Sequence, residues 1–108
     1  MGQVLNIVKG EYGEIQPFDL TANDPDFNDA GCTTFSLLIA AKAMPNTIVK
    51  TINLERTANG QYDWHMANGD ANLDAGTYVM SIVGTGPGRA FKTSIANPLY
   101  LVVEEDPG

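Results

Sequence analysis

Residues 72–83, Asn-Leu-Asp-Ala-Gly-Thr-Tyr-Val-Met-Ser-Ile-Val, restrict the fold of this chain more strongly than any other segment. Asp74, Gly76 and Tyr78 stand at every second position, just before an alternating apolar run. In a β-sandwich such a segment turns the chain around a corner, because the Tyr ring is buried while its hydroxyl bonds to upstream backbone. We therefore expect a corner at Tyr78 that leads into a central strand over residues 77–83.

This segment resembles the tyrosine corner of immunoglobulin-like domains, whose pattern is Leu-x-Asp-x-Gly-x-Tyr. The matching residues are Leu73, Asp74, Gly76 and Tyr78. Antibody domains have a cysteine two residues after the Tyr, whereas this chain has Met80 and a single cysteine, so no intrachain disulfide can form. A corner of this kind indicates architecture and carries no information about chemistry.

The size and charge of the chain limit its class. A chain of 108 residues with 44% hydrophobic and 18% charged residues indicates one globular domain over residues 1–108. The formal net charge of -7 argues against a nucleic-acid site, which needs clustered Lys and Arg, and against binding to anionic membranes. The opening residues show no basic region and no long apolar stretch, so we expect neither a signal peptide nor a membrane span, and synthesis in the cytosol.

Apolar and β-branched runs between turn formers predict an all-β, antiparallel sandwich of seven to eight strands. The expected strands are residues 3–9, 14–21, 33–41, 47–55, 61–67, 77–83, 89–95 and 99–104. Pro17 cannot donate to a ladder, which predicts that the second strand is an edge strand or a bulged strand. Asn59-Gly60 predicts a type I′ hairpin before the fifth strand, because both residues tolerate positive φ. Residues 36–42 could also be helical, but the alternation that precedes them favours a strand.

Alternation also predicts which side chains are buried. The expected core consists of Phe35, Leu37, Ile39, Trp64, Tyr78, Met80 and Ile82. Further inward positions are Phe18, Leu20, Ile48, Ile52, Leu54, Tyr62 and Met66, and Lys50 is the one exception in its strand. Phe91 and Ile95 are expected on one side of theirs. The connections are expected to be a long loop at residues 22–31, a turn at 44–46, a glycine-rich hairpin tip at 84–88, a break at Pro98 and a charged tail after residue 104.

The candidates for catalysis are few. His65 is the only histidine and is expected on an outward face, and Cys32 borders a buried strand with no Lys, Arg or His beside it in sequence to activate the thiol. Residues 84–88, Gly-Thr-Gly-Pro-Gly, lack the Lys-Ser/Thr ending of a phosphate-binding P-loop. We therefore assign no catalytic residue and no cofactor-binding residue, and we expect that the protein is not an enzyme.

Two sets of acidic residues are the candidates for binding a metal ion. One Cys and one His exclude a Cys/His zinc site. The oxygen-bearing residues Asp70, Asn72 and Asp74 have the alternating spacing of a calcium loop, and Asp24, Asp26 and Asp29 lie in another loop that could fold beside them. An EF-hand would need Gly and Glu where this chain has Ala75 and Ser81. Turn geometry explains these acidic residues better, and we assign no metal.

The order of motifs resembles the immunoglobulin-like domain of phage baseplate upper proteins and related small phage virion proteins. The residues that carry the resemblance are Lys9-Gly10, Asp19-Leu20-Thr21, Asn59-Gly60, Ala75-Gly76-Thr77-Tyr78, and Pro98 with residues 99–103. The resemblance implies a non-catalytic virion structural component, a tail- or baseplate-associated adaptor or, alternatively, a capsid decoration or head-associated accessory protein. It implies other virion proteins of a symmetric assembly as partners, and location in a virion assembled in the host cytoplasm.

A carbohydrate-binding module is the rival interpretation, with a host-surface glycan as its partner. Such modules display exposed aromatic residues, and here only Phe27 and Tyr12 are expected in loops. For a virion component we expect attachment through the long loop at residues 22–31 and through the first strand. That strand is the less protected of two candidate edges, because it has no Pro and its one charge, Lys9, is at its end.

Overall fold

Short runs rich in β-branched and aromatic residues form the strands, and Gly, Pro, Asn and Asp occupy the turns between them. The structure, a computed structural model, describes residues 3–22, 24–43, 47–93 and 99–105. These residues contain nine strands and one 3₁₀ turn. In chain order they are β1 (Gln3–Val8), β2 (Ile15–Asp19), the 3₁₀ turn (Leu20–Ala22), β3 (Thr34–Ala41), β4 (Ile48–Asn53), β5 (Glu55–Ala58), β6 (Gln61–His65), β7 (Gly76–Thr85), β8 (Ala90–Lys92) and β9 (Leu99–Glu104).

The strands form two sheets. The larger sheet has the order β1-β9-β7-β3-β4, with β8 paired to the end of β7 that extends past β9, and the smaller sheet has the order β2-β6-β5. The all-β class is confirmed, but the expectation of a purely antiparallel arrangement is wrong. Among the described pairs β1 and β9 alone are parallel. Parallel neighbours need a long crossover connection, and here the whole chain between the first and last strands supplies it.

The two sheets share one hydrophobic core. All seven residues expected in the core are buried, and four of them, Leu37, Ile39, Trp64 and Ile82, have no exposed surface. Phe35 of the larger sheet stacks on Tyr62 of the smaller sheet, with ring centroids 4.7 Å apart. The alternation in β3, β6 and β7 therefore predicted the inward face correctly, because each of these strands has neighbours on both sides and one face on the core.

The corner at Tyr78 is present. The hydroxyl of Tyr78 donates to the carbonyl oxygen of Asp74 at 2.6 Å, and the ring is buried. Nearby, the indole Nε1 of Trp64 donates to the carboxylate of Asp70 at 3.1 Å. Burial, and secondarily the charge of Asp74, raises the pKa of Tyr78. These bonds fix the connection from β6 into β7.

The expected strand at residues 47–55 is in fact two strands. The chain leaves the larger sheet after β4 and enters the smaller sheet as β5, and the backbone N–H of Leu54, at the crossing, donates to the carbonyl of Phe35 at 2.9 Å. The register of β3 and β4 shifts between Ile39 and Ala40, which turns Ile48 outward with 43% of its surface exposed. The inward prediction for Ile48 is therefore wrong, while Ile52 is buried as expected. The ammonium of Lys50, the exception in this strand, donates to the carbonyl of Gly69 at 2.7 Å.

The hairpin at Asn59-Gly60 joins β5 to β6 as predicted, but its turn is not type I′. Only Gly60 has a positive φ, of 73°, whereas a type I′ turn needs positive φ at both central residues. The register of the pair shifts between Arg56 and Ala58, so the strands meet through a bulge. The prediction of a strand over residues 33–41, and not a helix over 36–42, is confirmed, as is the edge position of the Pro17 strand. The predictions for residues 44–46, Ile95 and Pro98 concern parts of the chain outside the described residues.

The connections gather at two opposite ends of the domain. Residues 9–14 and 66–75 lie at one end, hereafter the corner end, where Gly10 N–H donates to the carbonyl of Ala71 and Met66 N–H donates to that of Glu14. Residues 24–33, 56–60 and 86–91 lie at the other, hereafter the loop end.

Candidate functional site

The loop end brings together segments that are distant in sequence. The long loop at residues 24–33 packs against the tip between β7 and β8, where Thr33 N–H donates to the carbonyl of Thr85 at 2.8 Å. Gly86 permits this approach, because a side chain at that position would overlap the carbonyl of Gly31. The loop is therefore held against the sheet.

Asp29 holds the centre of the loop end. Its side chain is only 4% exposed, and its carboxylate accepts bonds from Arg56 Nε at 2.7 Å and from Arg56 Nη2 at 3.1 Å. The hydroxyl of Tyr62 donates to the same carboxylate at 3.0 Å, and the backbone N–H of Gly60 donates at 3.4 Å. A buried carboxylate is tolerated when it is both paired and hydrogen-bonded, and these donors meet both requirements.

The electrostatics of this group follow from its partners. The hydrogen bonds from Arg56 lower the pKa of Asp29, against the opposing effect of burial. Burial, followed by the bond to Asp29, raises the pKa of Tyr62. At neutral pH the carboxylate is therefore ionised and the phenol protonated. Arg56 and Tyr62 lie 27 and 33 positions from Asp29, so no local pattern in the sequence could have linked them.

Asn59 ties the same loop to the β5–β6 hairpin. Its side-chain amide donates to the carbonyl of Phe27 at 2.7 Å, and its side-chain oxygen accepts from the backbone N–H of Asp29 at 2.9 Å. The side chain of Asn59 therefore stabilises the contact between the turn and the loop, although its φ is not positive. The sequence identified the residue as a turn former but could not show that its side chain is used in this way.

Aromatic rings continue from the core to the surface of the loop end. Phe27 packs edge-on against Phe91 with centroids 5.0 Å apart, and Phe91 lies 6.3 Å from Phe35 in the core. The guanidinium of Arg89 lies 6.0 Å from the ring of Phe27 and 5.8 Å from that of Phe91, and it donates to the carbonyl of Asn28. Arg89 thus covers the half-buried aromatic residues with a charged, exposed surface.

A shallow cleft of about 410 Å³ opens beside this cluster, where β3 begins and the chain crosses from β4 to β5. Its lining is Cys32, Thr33, Thr34, Phe35, Asn53, Leu54 and Arg56. The lining combines hydroxyl, amide and guanidinium groups with an apolar floor. Arg56 is already paired with Asp29, which leaves only part of its guanidinium for another acceptor.

The structure does not bring together the residues considered for catalysis. Cys32 lies in the loop end, where its thiol contacts the carbonyl of Arg89 at 3.7 Å. His65 lies at the opposite end of β6, on an exposed face, with Nε2 3.4 Å from the carboxylate of Glu55. The expected outward position of His65 is confirmed.

The two acidic sets considered for calcium lie at opposite ends of the domain. Asp29 belongs to the loop end, whereas Asp70 accepts from Trp64 and from the backbone N–H of Ala67 at 2.9 Å in the corner end. The carboxylate of Asp24 accepts a hydrogen bond from the backbone N–H of Asp26 at 3.3 Å, within its own loop. Among the described residues no group of three or more His, Cys, Asp and Glu side chains is arranged to hold a metal ion.

The two candidate aromatic residues for sugar binding are also separated. Phe27 is half-buried in the loop end, and Tyr12, which is 61% exposed, lies in the corner end next to Gly13, whose N–H donates to the carbonyl of Met66. They do not form one platform.

No helix in the described parts of the chain has the length and apolar character required to cross a membrane. No protein-family model, curated protein or solved structure matches this sequence.

Proposed function

We propose that this protein is a non-catalytic structural component of a phage virion, a tail- or baseplate-associated adaptor that docks onto neighbouring virion proteins through its loop end. Its location would be the virion, assembled in the host cytoplasm. The observation that carries the proposal is the preformed surface at the loop end, where a long loop is held by the ion pair between the buried Asp29 carboxylate and Arg56 and by Asn59. A recognition loop that is already ordered loses little conformational entropy when it binds.

We also propose that the two sheets form an immunoglobulin-like sandwich. Two features support this: the bond from Tyr78 to the Asp74 carbonyl, which is the tyrosine corner, and the connection at Leu54 that carries the chain from one sheet to the other. The motifs that resemble phage virion domains then fall on structural positions. Asn59-Gly60 forms the β5–β6 hairpin, and residues 75–78 form the corner.

The decisive experiment is a density map of the intact particle, which would place the domain at the tail, the baseplate or the head. Attachment of purified protein to particles that lack it gives the matched biochemical test. Arg89→Glu reverses an exposed charge at the loop end, and Lys42→Glu makes the same change near the corner end, where the Lys42 N–H donates to the carbonyl of Thr77.

We expect Arg89→Glu to weaken attachment by about tenfold or more, as disruption of a charged contact at an interface does, and Lys42→Glu to leave it unchanged. Thermal unfolding of both variants controls for stability. Equal attachment of the two variants would exclude docking through the loop end. Failure of the unmodified protein to attach to any particle would overturn the virion assignment itself.

A carbohydrate-binding module is the second candidate, and the cleft beside Arg56 is the observation that favours it. Glycan-array binding that is lost in Asn53→Ala, a change in the cleft lining away from the core, would support this rival. Binding that persists in that variant would place any sugar elsewhere.

A further inference from the structure

The edge of β1 is the feature that the proposed function leaves unexplained. Within the described residues β1 pairs only with β9. Lys9 N–H, directly after the strand, donates to the carbonyl of Glu104 in β9 at 2.8 Å. In a strand, the N–H and C=O groups of every second residue point to the same side, so those of Leu5 and Ile7 also point toward β9. The N–H and C=O groups of Val4, Asn6 and Val8 therefore point toward the open edge.

The backbone groups of Val8, one of these three residues, already have hydrogen-bond partners. The N–H of Val8 donates to the carboxylate of Glu11 at 3.0 Å, and the carbonyl of Val8 accepts from the N–H of Glu11 at 3.0 Å. Glu11 thus closes the edge at the end of the strand. Within the described part of the chain no group pairs with the outward N–H and C=O groups of Val4 and Asn6, and the side chain of Val4 is 59% exposed.

The other edges of the described sheets carry features that discourage pairing. β2 contains Pro17, and β5 is four residues long and begins with the charged pair Glu55-Arg56. β4 contains Lys50 and the register shift opposite Ile39, and β8 is three residues long and ends in Lys92. By contrast, β1 has six residues with no charge, no Pro and no bulge.

We propose that β1 pairs with β1 of a second copy of this chain, in an antiparallel arrangement that makes the two larger sheets continuous. With Leu5 opposite Leu5 on the two-fold axis, Val4 of each copy faces Asn6 of the other. Each such pair exchanges two hydrogen bonds, so all the outward groups of Val4 and Asn6 in both copies are matched. A slip along the strand would leave some of them unpaired, so the pattern selects this register.

The charge of the molecule sets how this dimer should respond to salt. The strand itself is uncharged, but each copy carries a net charge of -7, and the repulsion between copies opposes association. A strand-to-strand contact also buries less surface than a standard interface, so we expect a dissociation constant on the order of 100 μM. Added salt should strengthen the dimer by screening the repulsion. The inference rests on the geometry of β1 alone and goes beyond the virion assignment.

Sedimentation equilibrium of the purified chain tests the association, and Asn6→Pro tests the geometry. The N–H of Asn6 faces the open edge, so Pro at this position removes a donor of the dimer but none of the ladder with β9. Because each variant dimer loses two hydrogen bonds, we expect the dissociation constant to rise by about tenfold or more. Concentration-dependent protection of the Val4 and Asn6 amides against hydrogen exchange should accompany the dimer, while Leu5 and Ile7 stay protected at every concentration.

A second pair of variants keeps the test informative if the proline variant does not fold. Val4→Lys places a charge on β1, and Val49→Lys places one on β4, an edge of the same sheet, at a residue that is 47% exposed. Loss of the dimer in Val4→Lys but not in Val49→Lys would support the proposal. A chain that is monomeric up to about 1 mM would overturn it, as would a dimer that survives both β1 substitutions. None of these outcomes depends on attachment to a particle.

Discussion

The two ends of this domain are held by the same kind of contact built over very different sequence distances. At the corner end, Tyr78 bonds to the carbonyl of Asp74 and Trp64 to the carboxylate of Asp70, over separations of four and six residues. At the loop end, Tyr62 bonds to the carboxylate of Asp29 over 33 residues. In both cases a buried aromatic ring carries its polar atom to an anchor in a loop.

The difference lies in what each end requires of the rest of the fold. The corner is a local structure, so its bonds can form as soon as β7 follows its loop. The loop end exists only when β6, the long loop and the β7–β8 tip are already packed together. We therefore expect that perturbing Asp29 disturbs the three segments that its bonds join, the long loop, β5 and β6, and that perturbing Tyr78 disturbs only the corner.

The largest effect should come from Asp29→Ala. The change leaves the buried Tyr62 hydroxyl and the Gly60 N–H without their acceptor, and we expect a loss of about 2 to 4 kcal/mol in the free energy of unfolding. Urea denaturation measures it. Asp26→Ala, in the same loop but exposed, is the control and should change stability by less than about 0.5 kcal/mol. Equal small effects for the two variants would show that the Asp29 network does not hold the loop end.

The paired substitutions Tyr62→Phe and Tyr78→Phe compare the two ends directly. Each removes one hydroxyl and keeps the ring. The Tyr62 hydroxyl donates to an ionised carboxylate, for which about 1.5 to 3 kcal/mol is expected, whereas the Tyr78 hydroxyl donates to a neutral carbonyl, for which about 1 kcal/mol is expected.

Amide hydrogen exchange should show which residues lose protection in each variant. Tyr62→Phe should lower the protection of residues 24–33, while Tyr78→Phe should affect mainly residues 70–78. An effect of Tyr78→Phe that equals or exceeds that of Tyr62→Phe would contradict the ranking of the two ends. No measurable effect would mean that the corner hydroxyl contributes nothing to stability.

Acid pH should weaken the loop end by a smaller amount. The pKa of Asp29 is lower in the folded protein than its ordinary value of 3.8, so the stability from this group is fully present above about pH 5, where the unfolded carboxyl is also ionised, and is lost as the pH falls through the folded-state pKa. The loss should be smaller than that in Asp29→Ala, because a protonated carboxyl still occupies the site. Thermal unfolding between pH 7 and acid pH, with Asp29→Asn as the control, checks this. If the variant loses as much stability in acid as the unmodified protein, other carboxyl groups are responsible.

The limits of sequence reasoning can be seen in particular residues. Period-two alternation identified the inward faces of β3, β6 and β7, because these strands lie on one core and have neighbours on both sides. It failed at Ile48, where a register shift turns the side chain outward, since a bulge leaves no mark in the hydrophobic pattern. It also missed Arg56, whose role depends on a partner 27 residues away.

The sequence by itself determined the strand character of most segments and the corner at Tyr78, because alternation and turn chemistry act between residues close along the chain. Only the tertiary structure decided that residues 47–55 divide between two sheets, that β1 pairs in parallel with β9, and that Asp29 meets Arg56 and Tyr62. The physical reason is that such contacts follow from packing two sheets on one core. Their energy becomes available only after the intervening chain has been brought together, so no local preference encodes them.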